Sequence, residues 1–169
     1  MEIWDGYYRD GSLANVDLIR GDKVPEGLYH LVCEVLVRHM DGDYLLMQRS
    51  FEKPNHGGDF EATAGGSALK GEDKLACVKR ELYEETGIVA EEFQELARIV
   101  RDENHSIFYT YLCVTDCDKN SVQLQEGETI SYKWVGEEEF IRFVNSGEMI
   151  ETQRRRYEKF FREMGYIES

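Results

Sequence analysis

The segment from Gly66 to Ile88, GSALKGEDKLACVKRELYEETGI, constrains the fold of this chain more than any other stretch. From Asp73 onward its apolar residues recur at helical spacing, and Gly87 follows as a typical helix stop. The residues that define this stripe are Leu75, Val78 and Leu82. The pattern predicts a helix over this part of the segment, with one side in the protein core.

Three glutamates lie on a second face of the same predicted helix. Glu81, Glu84 and Glu85 stand at positions i, i+3 and i+4, so their carboxylates are neighbours. At about 6 Å and an effective dielectric constant of about 20, each pair of like charges costs roughly 3 kcal/mol. A divalent cation turns this repulsion into attraction, and oxygen ligands favour Mg²⁺ or Mn²⁺. Arg80, four residues before Glu84, has the planar guanidinium that orients a carboxylate.

The same segment fills a longer pattern, G-x5-E-x7-R-E-U-x-E-E-x-G-U, in which U is a bulky apolar residue. The matching positions are Gly66, Glu72, Arg80, Glu81, Leu82, Glu84, Glu85, Gly87 and Ile88. A solvated acidic helix face is the simpler interpretation of three glutamates, but it does not require the glycines and the arginine at these positions. The pattern resembles the Nudix box, the signature of the Nudix hydrolases, over residues 66–88.

The order of predicted elements also resembles the Nudix fold. Apolar and β-branched runs predict strands at residues 16–20, 28–39, 43–50, 95–102, 106–116 and 129–135, with 28–39 and 43–50 as a core hairpin. The resemblance implies an α/β (α+β) fold class, an α/β/α sandwich with a mixed β-sheet. We expect residues 1–169 to form a single domain, with an N-terminal β-hairpin in residues 1–28 and C-terminal helices.

Two amphipathic helices are predicted near the C-terminus, at residues 137–147 and 148–165. The apolar side of the second helix consists of Ile150, Tyr157, Phe160, Phe161 and Met164. Its basic residues, 154–156, are interpreted as a solvated, ion-paired face and not as a nucleic-acid patch, because the protein is acidic.

Charge and hydropathy limit the partners. The net charge of −14 disfavours binding to a nucleic acid polymer, whose phosphates attract basic surfaces. We see no apolar run long enough to cross a bilayer and no basic, apolar leader at the N-terminus, so a cytoplasmic protein is expected. The oligomeric state stays open, with a homodimer among the candidates.

The four cysteines show no CxxC spacing and lie in or beside apolar runs. They are Cys33, Cys77, Cys113 and Cys117. We therefore expect reduced, mostly buried thiols and no zinc site.

The resemblance implies a metal-dependent hydrolase acting on a small molecule, commonly a nucleoside diphosphate linked to a further moiety. By similarity, Glu81, Glu84 and Glu85 bind Mg²⁺ or Mn²⁺, the carbonyl of Gly66 adds a ligand, and Arg80 positions the carboxylates. Water is the nucleophile in this reaction.

Several further residues are weaker candidates for the site. Glu128 is a candidate metal ligand, and the general base is left open between Glu81, Glu126 and Glu128. Glu72 serves either the site or the helix dipole. Two basic residues in the long loop before the motif are candidates for binding a diphosphate, with surface ion pairing as the alternative; these are Arg49 and Lys53.

The N-terminal aromatics allow two interpretations. Trp4, Tyr7 and Tyr8 could stack on a substrate base, or they could pack the hairpin against the domain. The second role is the more common one for aromatic residues in a terminal hairpin.

Two other functions compete with hydrolysis. Residues 29–37 and 45–66 resemble isopentenyl diphosphate isomerases, which share the Nudix fold and use a divalent cation. In those enzymes a cysteine before the motif transfers a proton at carbon, whereas this chain has Ala64 at that place. The motif is also intact here, so an isomerase-like branch of Nudix hydrolases is the favoured interpretation. The other alternative is a ligand-binding Nudix domain without turnover.

Overall fold

The chain folds into a mixed β-sheet flanked by helices, with a separate N-terminal hairpin, as a computed structural model of residues 1–168 shows. The strands are β1 (Ile3–Tyr7), β2 (Leu13–Ile19), β3 (His30–His39), β4 (Tyr44–Arg49), β5 (Phe60–Glu61), β6 (Thr63–Ser67), β7 (Gln94–Arg101), β8 (Ser106–Thr115) and β9 (Thr129–Val135). The helices are α1 (Lys74–Thr86), α2 (Glu137–Asn145), α3 (Glu151–Arg156) and α4 (Glu158–Glu163). The predicted fold class is confirmed.

Strand β3 is the centre of the sheet, and its two edges are used differently. One edge pairs in parallel with β8 along its whole length, from His30 to His39. The other edge is shared, because β6 pairs with the segment 32–36 and β4 meets β3 only at Arg38. The two strands of the predicted β3–β4 hairpin therefore pair only next to the turn. Beyond this point they separate, and β4 pairs with β9 and β5 instead. This fork leaves room for a cavity between the strands.

Alternating side chains of β3 enter two cores on opposite faces of the sheet. Val35 belongs to the core beneath α1, whereas Leu36 belongs to the core covered by α2 and α4. The sheet is thus enclosed by helices on both faces, as the sandwich architecture requires. Three of the four cysteines are buried and all four are free thiols, as predicted.

Both ends of α1 are capped, the second of them by the glycine that the sequence predicts as a helix stop. The Asp73 carboxylate accepts a hydrogen bond from the Ala76 N–H at 2.8 Å, which satisfies a donor of the first turn. Gly87 adopts φ 76°, and its N–H donates to the Tyr83 carbonyl at 2.8 Å. The predicted apolar stripe was wrong at Leu75, which is 44% exposed. The buried positions are Cys77, Val78, Leu82 and Thr86.

The single helix predicted at residues 148–165 is instead two short helices. The chain departs from helical geometry at Tyr157, with φ −105° and ψ 6°, and this residue separates α3 from α4. No glycine or proline lies at the break, so it arises from tertiary packing. Tyr157 and Phe161 are fully buried, but Met164 is 39% exposed and does not belong to the apolar side.

The N-terminal aromatics pack the hairpin against the sheet. The ring of Trp4 stacks on His30 with centroids 4.2 Å apart, and Tyr7 exchanges backbone hydrogen bonds with Tyr29. Burial and then the charge of Arg20 lower the pKa of His30 to about 4, so the stacked imidazole is neutral at pH 7. Tyr8 is exposed. The packing interpretation therefore accounts for Trp4 and Tyr7.

Across residues 1–168, none of the helices combines the length and the apolar character of a membrane span.

The cap of α1 generates a stability prediction. Replacing Asp73 with Ala removes the acceptor for the Ala76 N–H, so the free energy of unfolding should fall by about 1 kcal/mol. Urea denaturation followed by circular dichroism measures this change. Asp73→Asn keeps a capping oxygen and should remain within a few tenths of a kcal/mol of the wild type. Equal losses in both variants would contradict the capping role.

Candidate active site

A cavity of about 440 Å³ lies where the fork between β3 and β4 meets β6 and α1. Its volume is within the range of small-molecule sites. The motif glutamates Glu81, Glu84 and Glu85 line it from α1, and Gly65 and Gly66 line it from β6. The fold therefore brings the helix and the glycine turn of the motif to one place.

Arg80 connects the acidic side chains of the motif. Its guanidinium donates to both oxygens of Glu72, at 2.7 and 2.9 Å, to Glu81 at 2.9 Å and to Glu84 at 3.2 Å. It also donates to the carbonyl of Ser67 at 3.1 Å. These hydrogen bonds and nearby carboxylates raise the pKa of Arg80 above its ordinary value. Arg80 thus fixes the directions of two cavity carboxylates.

Glu72 holds Arg80 and does not line the cavity. One of its oxygens also accepts the Leu69 N–H at 2.7 Å. Burial would raise the pKa of Glu72, but the hydrogen bonds from Arg80 and Leu69 outweigh it, and the pKa lies below its usual value. Glu72 is therefore an ionised anchor behind the site.

Glu85 is electrostatically the most strained of the motif acids. Burial raises its pKa well above the ordinary value, and the charges of Glu81, Glu61 and Glu128 raise it further. The N–H of Gly65 donates to Glu85 at 3.1 Å and offsets only part of this. A cation beside Glu85 would be strongly stabilised.

Gly66 leaves room for the carboxyl group of Glu81, which would have to shift if residue 66 had a side chain. A Cβ at position 66 would collide with the Glu81 carboxyl group, whose Cδ would lie only 2.7 Å away. Burial raises the pKa of Glu81, although Arg80 opposes this shift. The Gly66 carbonyl accepts a weak hydrogen bond from the Cys77 thiol at 3.5 Å. Gly66 thus lets the Glu81 carboxylate lie against the β6 backbone.

The basic candidates of the preceding loop lie in the cavity lining and are paired there. Arg49 forms an ion pair with Glu61 and donates to the Asn55 carbonyl, and Lys53 forms an ion pair with Glu128. A substrate phosphate would have to compete with these carboxylates. Of the two later glutamates, Glu128 lines the cavity, whereas Glu126 is exposed outside it.

The donor set fits a divalent cation. Seven glutamates and four basic side chains line the cavity, and one of the seven, Glu34, is neutralised by Arg156 from outside the lining. A bound diphosphate would add negative charge, so the site needs cations to accept it. In the part of the chain that the structure describes, no three acidic, His or Cys side chains are already gathered as a metal-binding group. The carboxylate oxygens are engaged by Arg80 and Gly65, and these bonds must be exchanged for a metal.

Several lining residues were missed by the sequence analysis. Glu2 and Arg20 reach the cavity from the hairpin, and Gln153 reaches it from α3. Glu34 lies on β3 and accepts two hydrogen bonds from Arg156, at 2.6 and 2.8 Å. Glu34 could have been found from the sequence, because it is a single acid inside an apolar strand. The prediction that residues 154–156 form a solvated face was wrong at Arg156, whose side chain is nearly buried beside Glu34. Gln153 and the hairpin residues carry no local signal.

Fold and site together define a hydrolase of the Nudix class, since the acidic motif helix and its glycine turn border one polar cavity. The NUDIX domain model matches residues 28–162. A relative from Listeria monocytogenes, described as an uncharacterized Nudix hydrolase, is 29% identical over 150 residues, which cover 89% of each chain. The chain belongs to the Nudix family, and its enzyme class is that of the Nudix pyrophosphohydrolases.

Solved structures agree on the fold. A protein from Deinococcus radiodurans aligns with a TM-score of 0.69 at 18% identity, covering 92% of this chain and 98% of its own. A MutT protein from Methanosarcina mazei aligns with a TM-score of 0.60 at 26% identity, covering 80% and 95% of the two chains. The hairpin residues that reach the cavity precede the segment matched by the family model.

The contact between Gly66 and Glu81 generates a second prediction. Gly66→Ala should displace the Glu81 carboxylate and weaken Mn²⁺ binding at least about tenfold, because one ligand direction is lost. Titration of Mn²⁺ followed by electron paramagnetic resonance measures the affinity. Gly136→Ala is the matched control, since a Cβ there has Asp43 at 3.8 Å as its nearest contact. Unchanged Mn²⁺ affinity in a folded Gly66→Ala protein would contradict the proposed role of Glu81.

Proposed function

We propose that this protein is a divalent-metal-dependent hydrolase of a diphosphate linkage in a small molecule, such as a nucleoside diphosphate joined to another group. The observation that carries the proposal is the convergence of Glu81, Glu84 and Glu85 in one cavity with the basic residues Arg49 and Lys53. Such a site offers oxygen ligands to a hard cation and cationic groups to phosphate oxygens.

Each motif residue has a distinct part in this proposal. Glu81, Glu84, Glu85 and the Gly66 carbonyl would hold Mg²⁺ or Mn²⁺, and Arg80 keeps the carboxylates of Glu81 and Glu84 in place. The bound cation would supply Lewis-acid activation of the diphosphate and a lowered pKa for the attacking water. Arg49 and Lys53 would turn from their carboxylate partners to phosphate oxygens.

A general base must reach the attacking water. Glu128 lines the cavity and is therefore preferred to Glu126, which is exposed outside the lining. Glu81 is the other candidate, but its carboxylate is already bonded to Arg80 and assigned to the metal. We propose Glu128 as the base, with a direct bond to the metal as its alternative role.

The isomerase alternative is less well supported at the position of its proton donor. Ala64 is buried and pairs with Val35 across β3 and β6, and alanine has no group that could donate a proton to carbon.

The free and mostly buried cysteines support the reducing cytoplasm as the site of action.

A substrate screen with matched variants tests the function. The wild type should hydrolyse at least one of ADP-ribose, nucleotide sugars, dinucleoside polyphosphates and nucleoside triphosphates with Mg²⁺, and lose activity with EDTA. Coupling to alkaline phosphatase detects the phosphomonoester products of the first three substrate classes, and coupling to inorganic pyrophosphatase detects the pyrophosphate released from nucleoside triphosphates. Glu84→Gln and Glu85→Gln should each lower turnover about 100-fold or more, because a charged ligand is removed.

Glu92→Gln is the control for this screen, because Glu92 is exposed and outside the cavity lining. Rates close to the wild type in both Glu84→Gln and Glu85→Gln would refute the assigned site. Isomerised isopentenyl diphosphate without hydrolysis would favour the isomerase, and tight nucleotide binding without turnover would favour a binding domain.

The choice of base gives a separate prediction. Glu128→Gln should lower turnover at least about tenfold, whereas Glu126→Gln should not change it, since only Glu128 borders the cavity. Mn²⁺ affinity distinguishes the two roles of Glu128. If Glu128 is the base, Glu128→Gln leaves the Mn²⁺ affinity unchanged. If Glu128 is a metal ligand, the same substitution weakens Mn²⁺ binding. Equal turnover in the two variants would exclude both roles.

A further inference from the structure

Gln153 stands out among the residues that line the cavity. The buried part of the lining consists of Glu34, Met47, Thr63 and Gln153, and we call these residues the cavity floor. Gln153 is 7% exposed, and its side-chain carbonyl oxygen has no hydrogen-bond partner within residues 1–168. Buried polar atoms without partners are rare and destabilising, so this one calls for an explanation.

The surroundings of Gln153 hold the residue firmly in place. The next residue, Arg154, donates to the Val144 carbonyl at 2.8 Å, which ties α3 to the end of α2. One turn further, Arg156 forms its paired hydrogen bonds with Glu34 of the floor. Both anchors follow Gln153 closely in the chain, so they fix the part of α3 that carries its side chain, as is expected for a group that binds a ligand.

The chemistry of the floor indicates what it would bind. An amide offers a hydrogen-bond donor and an acceptor side by side in one plane, and nucleobases carry matching edges. Met47 lines the same cavity with a polarisable side chain, a type that contacts aromatic rings favourably. The acids of α1 and the basic residues Arg49 and Lys53 occupy other parts of the lining.

We propose that Gln153 is a specificity-determining residue, whose amide binds the N–H-bearing edge of a nucleobase on the cavity floor while the diphosphate lies beside α1. This inference rests on the proposed function and assigns the organic half of the substrate. The carbonyl oxygen of Gln153 is itself buried in the free protein, so the amide would turn about its last side-chain bond toward the base, which then supplies the missing donor.

Two substitutions at Gln153 test the proposal. Gln153→Met keeps the length and removes both hydrogen-bonding groups. Its kcat/KM for the preferred nucleotide substrate, chosen among ADP-ribose, UDP-glucose and CDP-choline, should fall at least about tenfold more than for a base-free diphosphate such as phosphoribosyl pyrophosphate. The loss should lie mainly in KM. Gln153→Glu removes the donors and keeps the acceptors, so it should change the order of preference among the three bases.

Tyr157→Phe is the matched control. The Tyr157 hydroxyl is also a buried atom without a hydrogen-bond partner in the described chain, one helical turn from Gln153, but it does not line the cavity. Its removal should leave the ratio of nucleotide to base-free kcat/KM unchanged. Thermal unfolding should show a Tm for Gln153→Met at or above that of the wild type, because an unpaired polar atom is removed.

Failure of this inference is distinguishable from failure of the proposed function. Equal losses of Gln153→Met on nucleotide and base-free substrates, or none on either, would overturn the role of Gln153 even where Glu85→Gln abolishes hydrolysis. If the wild type hydrolyses no diphosphate, calorimetric measurement of ADP, UDP and CDP binding tests whether Gln153 recognises the base. Weakening by Gln153→Met of at least about tenfold supports base recognition, and unchanged affinity, or no binding of any of the three by the wild type, refutes it.

Discussion

The guanidinium of Arg80 makes the acidic face of α1 compatible with a folded protein. Without a cation, neighbouring carboxylates at about 6 Å repel by roughly 3 kcal/mol per pair at an effective dielectric constant of about 20. Arg80 donates to Glu81 and Glu84, and Glu72 holds it from behind. Glu85, which Arg80 does not contact, has the pKa raised well above its ordinary value. Arg80 therefore stabilises the free site, and in the proposed mechanism a metal would have to compete with Arg80 for the oxygens of Glu81 and Glu84.

The fork in the sheet gives this acidic helix a cavity to face. β3 cannot pair with β4 along its length, because β6 occupies the same edge over residues 32–36. At Gly65 in β6, a Cβ would collide with the backbone of β3, where the Glu34 Cα would lie at 2.9 Å. At Gly66 it would collide with Glu81. Consecutive glycines therefore serve two different contacts, one that closes the sheet and one that admits the carboxylate.

The sequence predicted what depends on neighbouring residues. Local pattern accounts for the glycine stop of α1, for the strands 106–115 and 129–135 and for the buried cysteines. Leu75 was misassigned because its spacing of three residues to Val78 fits an apolar stripe on either side of Val78. In the structure the stripe includes the buried Cys77 and leaves Leu75 exposed. The break between α3 and α4 has no glycine or proline to announce it. It is a product of packing, which a single-sequence pattern does not contain.

The two halves of the cavity also differ in how far the sequence predicts them. The proposed chemical half, Gly66 to Glu85, is contiguous in sequence, so one pattern reveals it. The opposing half is assembled from distant segments, as the pair of Glu34 and Arg156 shows across 122 residues. Only the fold brings Gln153 and Arg20 to the cavity, and Arg20 precedes the segment that the family model matches. Changes in the hairpin or in α3 can therefore alter what the cavity accepts without disturbing the motif, which separates the choice of substrate from the cleavage of its diphosphate.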